Sequence, residues 1–127
     1  MRVLPLSAEP LALQSRPMSP RLQTFREFWP YYLGEHSKAW TRRLHFVGTS
    51  GAIASLAAFA FTGRPALLLA AAICGYAFAW ISHLAIEHNR PATFRYPLYS
   101  LAADFRMYGL TLLGKLELPV IDKPPSA

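Results

Sequence analysis

The chain has 127 residues, of which 53% are hydrophobic and 16% charged, with a formal net charge of +6. That length suits one domain, and the charged share lies well under the roughly 25% usual for soluble domains. A disordered chain is excluded by the hydrophobic content, and a small water-soluble enzyme with a full polar coat is disfavoured. The single cysteine, Cys74, excludes an intramolecular disulfide framework and a multi-cysteine zinc site.

Residues 1–19 contain Pro5, Pro10 and Pro17 and no apolar run long enough for a signal peptide. They read as a flexible arm, with Met18 an alternative start. Ser19-Pro20 then has the form of a helix cap followed by proline at the first position. Leu22, Phe25, Phe28, Trp29, Tyr32 and Leu33 follow at helical spacing. Such a stripe suits a helix lying in a membrane interface, which Pro30 should kink or end.

Between Arg43 and Glu87 the only charged residue is Arg64. It separates two apolar runs, Leu44 to Gly63 and Pro65 to Ile86, each about the 20 residues that a helix needs to cross a bilayer. Both are rich in Ala, Gly and Ser, which permit close helix contact in lipid. A buried hairpin of a soluble protein would show the same pattern, but the rest of the chain is too short to cover one. Thr62-Gly63-Arg64-Pro65 reads as a tight turn, so the runs should form an antiparallel hairpin.

Seven Lys or Arg residues precede the first run, five follow the second, and the turn holds one. By the positive-inside rule both ends of the chain lie in the cytoplasm and Arg64 on the far side. The basic balance then reflects membrane orientation, and no nucleic-acid motif is present. Arg42, Arg43 and Arg90 read first as such anchors, with attraction of a carboxylate as the sharper reading. Trp29, Trp40 and Trp80 read as interface belt and packing.

Asn89-Arg90-Pro91 is a stop signal, and Pro97 can open another helix to about Leu113. Its polar residues Ser100, Asp104, Thr111 and Lys115 fall on a narrow stripe, with Arg106 opposite. Either that stripe faces water or Asp104 turns to a polar site. The tail 117–127 reads as unstructured.

The four histidines are His36, His45, His83 and His88. His45 precedes Arg64 by as many residues as His83 follows it, 19 in each case. In an antiparallel hairpin both therefore stand about 28 Å from the turn at 1.5 Å per residue and should meet. Glu87 shares a helix face with His83, whereas His88 points away from it. His36 can fold back to the same mouth across a short loop. Three imidazoles with one or both of the carboxylates Glu87 and Asp104 would match a non-haem iron or a zinc site.

Several blocks carry a family resemblance. They are Phe28-Trp29-Pro30-Tyr31-Tyr32-Leu33 with His36, then Arg43-Leu44-His45-Phe46-Val47-Gly48-Thr49, then Gly75-Tyr76-Ala77-Phe78-Ala79-Trp80-Ile81-Ser82-His83 with Glu87. Asn89-Arg90-Pro91-Ala92-Thr93-Phe94, Tyr96-Pro97, Ser100-Leu101 and Asp104-Phe105-Arg106-Met107 complete the set. Together, over Phe25 to Lys115, they resemble the membrane family first known only as a domain of unknown function, number 962. Its characterised fungal member acts in phytosphingosine breakdown to odd-numbered fatty acids.

The resemblance implies an Fe(II)-dependent dioxygenase that removes one carbon from a 2-hydroxy fatty acid with oxygen. The required histidines of that family look like His36, His45 and His83, and lysine is common in the family where this chain has His88. The fold expected is all-α: a small integral membrane helical bundle, with a two-helix transmembrane hairpin flanked by interfacial amphipathic helices over residues 20–116. Two other classes stand beside it, a non-enzymatic membrane scaffold or lipid-binding protein, and a haem carrier ligated by His45 and His83. The expected partners are the bilayer, a 2-hydroxy fatty acid and oxygen, with no nucleic acid and the oligomeric state open.

Overall fold

A computed structural model describes residues 20–117. The expected arm 1–19, including Met18 and Ser19, and all of the expected tail beyond Glu117 lie outside the described residues. The described chain is helical throughout, without strands: α1 (Phe25–Glu35), α2 (Ala39–Thr62), α3 (Ala66–Ser82) and α4 (Pro97–Leu112). A π-helical turn, His83–Glu87, prolongs α3, and a 3-10 turn, Ala92–Phe94, precedes α4.

Helix α1 begins later than the Ser19-Pro20 pair suggests. Thr24 is its cap, and its hydroxyl accepts from the Glu27 N–H at 3.2 Å. Glu27 Oε2 in turn accepts from the Gln23 N–H, so the two side chains share the free donors at the helix start. Residues 20–24 instead run along α4, where the Leu22 N–H meets the Tyr96 hydroxyl and the Tyr99 hydroxyl donates to the Gln23 carbonyl. Pro30 does not end the helix, which continues to Glu35. Proline removes one hydrogen bond, and the packing of the face beside it outweighs that loss.

The aromatic stripe of α1 does not lie bare in an interface. Phe28, Tyr32 and Leu33 are buried with Ala92, Tyr96, Ala103 and Met107, so the stripe meets α4 and the 3-10 turn. Phe25, Phe28, Tyr96 and Tyr99 form tilted and edge-on ring pairs across that contact. Arg106, on the outer side of α4, lies 4.5 Å over the Trp29 ring.

The expected hairpin is α2 and α3. Gly63 ends α2 in the left-handed conformation (φ 65°), as the turn reading requires. Both helices are long and apolar enough to cross a membrane, over Ala39–Thr62 and Ala66–Glu87. They approach each other through glycine: a Cβ on Gly48 would stand 2.6 Å from the Cys74 carbonyl oxygen and 2.9 Å from Phe78 Cβ. One on Gly51 would stand 3.0 Å from Cys74 Sγ. The buried positions of α2 are Thr41, His45, Gly48 and Thr49, spaced four, three and one apart on one stripe of its first half. Beyond them Leu56 and Phe61, with Leu68, Leu69 and Ile73 of α3, are exposed.

Helix α4 starts at Pro97, as expected, and lies against α1 and the first half of α2. Phe46 and Tyr108 stack across the α2 contact at 4.8 Å, and the Ser50 hydroxyl donates to that of Tyr108. The polar stripe of α4 faces inward at its start: Ser100 is buried, and Asp104 points to His45.

Candidate metal centre

His36, His45 and His83 come together at the end of the hairpin away from the turn. His36 terminates α1, His45 sits two turns into α2, and His83 opens the π-helical turn. Spacing on either side of Arg64 does bring His45 and His83 level, with ring centroids 5.2 Å apart. The short His36-Ser37-Lys38 connection brings His36 to the same place. All three side chains are at least 95% buried.

Their Nε2 atoms converge. His36 Nε2 lies 3.2 Å from that of His45 and 3.1 Å from that of His83. Each Nδ1 faces an acceptor instead. His36 Nδ1 meets the Tyr32 carbonyl oxygen at 2.6 Å. His83 Nδ1 meets Asn89 Oδ1 at 2.7 Å, and the Asn89 amide nitrogen is oriented by donating to Glu35. His45 Nδ1 lies 3.4 Å from Asp104 Oδ1. A neutral imidazole carries one proton. With that proton on Nδ1 in every ring, three lone pairs point at one another, and no hydrogen remains to pair them.

Such a cluster fits a cation. Two nitrogens at 2.0–2.1 Å from one metal stand about 2.9 Å apart at a right angle and about 3.3 Å apart at a tetrahedral angle, and the observed separations fall between. An acceptor behind each ring is also the usual support of a metal-binding histidine, since it sets the tautomer and the ring orientation. Burial, then the neighbouring His45 and His83, push the His36 pKa well below its ordinary value, so its lone pair is available at neutral pH.

The carboxylates expected beside the histidines have other neighbours. The group whose ligand atoms lie within 4.8 Å of one another holds the histidines and neither Glu87 nor Asp104. Glu87 accepts from the Ser37 hydroxyl, the Lys38 N–H and the Thr41 hydroxyl at 2.7–2.9 Å. Lys38 caps α2 without a side-chain bond of its own, so Glu87 supplies the missing acceptor and charge at that helix start. It thereby ties the end of α3 to the beginning of α2. The π-helical turn has more residues per turn than an α-helix, so the one-face spacing assumed for His83 and Glu87 does not hold there.

Asp104 stands behind His45 and also accepts from the Tyr32 hydroxyl. Burial, then the nearby carboxylate, raise the Tyr32 pKa well above its ordinary value, which keeps the phenol protonated as donor. Glu35 is likewise raised, by burial and then by Glu87.

His88 is outside the group. It holds the left-handed cap after the π-helical turn (φ 56°), where its N–H and that of Asn89 both bond to the His83 carbonyl. The cap delivers Asn89 to His83. Asn89 and the Tyr32 carbonyl have no signature in spacing, because one depends on a chain reversal and the other on a backbone atom. A cavity of about 10 Å³ adjoins the histidines, lined also by Tyr76, Ser100 and Asp104. That space suits an ion and leaves no room for a haem between His45 and His83.

No curated protein and no solved structure matches the chain. Residues 22–116, well over half of it, match a protein-family model described as Mpo1-like, 2-hydroxy-palmitic acid dioxygenase Mpo1-like. The description points to a dioxygenase-related role, and all the residues of the histidine cluster fall inside the matched span. The chain belongs to the Mpo1-like family.

Proposed function

We propose that the protein is an integral membrane, Fe(II)-dependent dioxygenase that shortens 2-hydroxy fatty acids by one carbon. The observation that carries this reading is the convergence of three Nε2 lone pairs, each held by an acceptor behind its ring. His36, His45 and His83 would hold the iron. Three protein ligands leave positions open for a substrate and oxygen, as in other non-haem iron sites. Bound iron would supply Lewis acidity toward an α-hydroxy carboxylate and the one-electron chemistry that oxygen requires.

The chain's own groups position and shield. The Tyr32 carbonyl, Asn89 and Asp104 keep the rings turned inward, and the Tyr32 hydroxyl holds Asp104 in place. Burial of the cluster excludes bulk water. The overall reaction balances without a further reductant: a 2-hydroxy acid and one oxygen molecule give the acid one carbon shorter, carbon dioxide and water. Four electrons leave the two terminal carbons, and oxygen takes up four.

The exposed apolar faces of α2 and α3 support insertion of the hairpin in a bilayer. The charge distribution supports both chain ends on the cytoplasmic side, with Arg64 opposite. A membrane site lets the acid react without leaving the lipid.

Oxygen uptake by detergent-purified protein, loaded anaerobically with Fe(II), tests the reaction on addition of 2-hydroxypalmitate. Uptake with appearance of the acid one carbon shorter in wild type, and loss of both in His83→Ala, is the expected result. No uptake from wild-type protein that holds iron would overturn the substrate.

A further inference from the structure

A second cavity, of about 350 Å³, runs along the hairpin from the metal centre toward the turn. Thr49, Ala52 and Leu56 of α2, Leu68 and Ala72 of α3, and Phe105 of α4 form its walls, and it is open along one side, where Leu56, Leu68, Tyr76 and Phe105 are 42–45% exposed. Tyr76 and Asp104 line both this cavity and the small one at the histidines, so the two adjoin. From Tyr76 to Leu68 the groove is about 12 Å long at 1.5 Å per residue. Its polar groups, Thr49, Tyr76 and Asp104, stand toward the histidines, and Leu56 and Leu68 mark the end toward the turn.

The histidine end holds one more signal. Ser100 is 3% exposed, and its hydroxyl is the buried side-chain atom without a hydrogen-bond partner among the described residues. It lines the small cavity with His36, His45 and His83. A buried hydroxyl is unfavourable unless something satisfies it. A polar end at Ser100 and an apolar groove leading away from it describe the two halves of one amphiphile.

We infer that this groove holds the acyl chain of the substrate, with the acid headgroup hydrogen-bonded by Ser100 at the metal centre, and that the wall toward the turn sets the preferred chain length. The inference rests on the proposed reaction for the identity of the headgroup. The occupant is an acyl chain because the groove is apolar beyond Tyr76, adjoins the proposed reaction centre, and is formed by helices whose outer faces are themselves exposed and apolar.

The test is photolabelling of metal-free protein in phosphatidylcholine vesicles by a 2-hydroxypalmitate analogue with a diazirine at its methyl end. Peptide mapping should place the label at Leu56 and Leu68, and excess unlabelled 2-hydroxypalmitate should remove it. Ala72→Trp, which fills the middle of the groove, should lower labelling by the long analogue relative to a ten-carbon one by at least about tenfold. Ser100→Ala should weaken competition by 2-hydroxypalmitate more than competition by the matching alcohol that lacks the carboxylate. Label spread evenly over the outward residues Phe61, Leu69 and Ile73, or an Ala72→Trp effect equal at both chain lengths, would overturn the inference. Circular dichroism of Ala72→Trp checks that it folds, and the wild-type map decides the matter if it does not. Groove-confined, competed label in a protein that turns over no 2-hydroxy acid would leave the groove standing and remove the reaction. Scattered label with turnover intact would do the reverse.

Discussion

The two ends of the α2–α3 hairpin are built by different means. At the histidine end, α1, α4 and the connections between helices surround the pair. Polar groups there find partners, Ser100 excepted: Glu87 takes three donors, Asn89 joins Glu35 to His83, and Arg42 bonds the His36 and Ser37 carbonyls. At the turn end large apolar side chains are exposed among the described residues. Leu69 is 64% and Phe61 92% exposed. The first end satisfies most of its polar groups within the chain, and the second leaves apolar side chains exposed.

Three sets of variants probe that contrast. The largest effect is expected behind the histidine rings. Asp104→Ala and Asn89→Ala each remove an acceptor that orients an imidazole, and each should weaken Fe(II) affinity by about 10–100-fold. Anaerobic metal titration measures this, and unchanged affinity in both variants would show that the rings are held by packing alone. Next is the close approach of the helices. Gly48→Leu should cost about 1–3 kcal/mol of stability through clash with Cys74 and Phe78. Phe61→Ala at the turn end should change detergent-solution stability by less than about 0.5 kcal/mol. Equal losses in the two variants would erase the distinction between the ends. The smallest effect belongs to His88. Its left-handed backbone favours glycine, so His88→Gly should raise stability by up to about 1 kcal/mol, read as a higher thermal midpoint with iron binding unchanged.

Much of this was legible in the sequence for a simple reason. A hairpin with equal arms brings equidistant residues level, so the meeting of His45 and His83 follows from counting alone. The uncharged stretch and the Gly63 turn were legible on the same grounds, because helix length and a positive φ depend on local composition. The direction of the α1 stripe was not. Phe28 and Tyr32 satisfy the pattern of an interfacial helix and of a packed one equally well, and only the position of α4 separates the two. Glu87 was harder still. Its spacing from His83 assumes an α-helix, while the chain forms a π-helical turn there and the carboxylate serves the start of α2. For Asp104 both readings were open, and the fold turns it inward, behind His45.

One metal ion on the three converging imidazoles underlies the proposed reaction. The most direct measurement is iron content and X-ray absorption of the anaerobically reconstituted, monodisperse protein, with His83→Ala beside it. One iron per wild-type chain is expected, with nitrogen neighbours fitted best by three imidazoles, and background iron in the variant. Background iron in folded wild-type protein, or equal occupancy in His83→Ala, would contradict it.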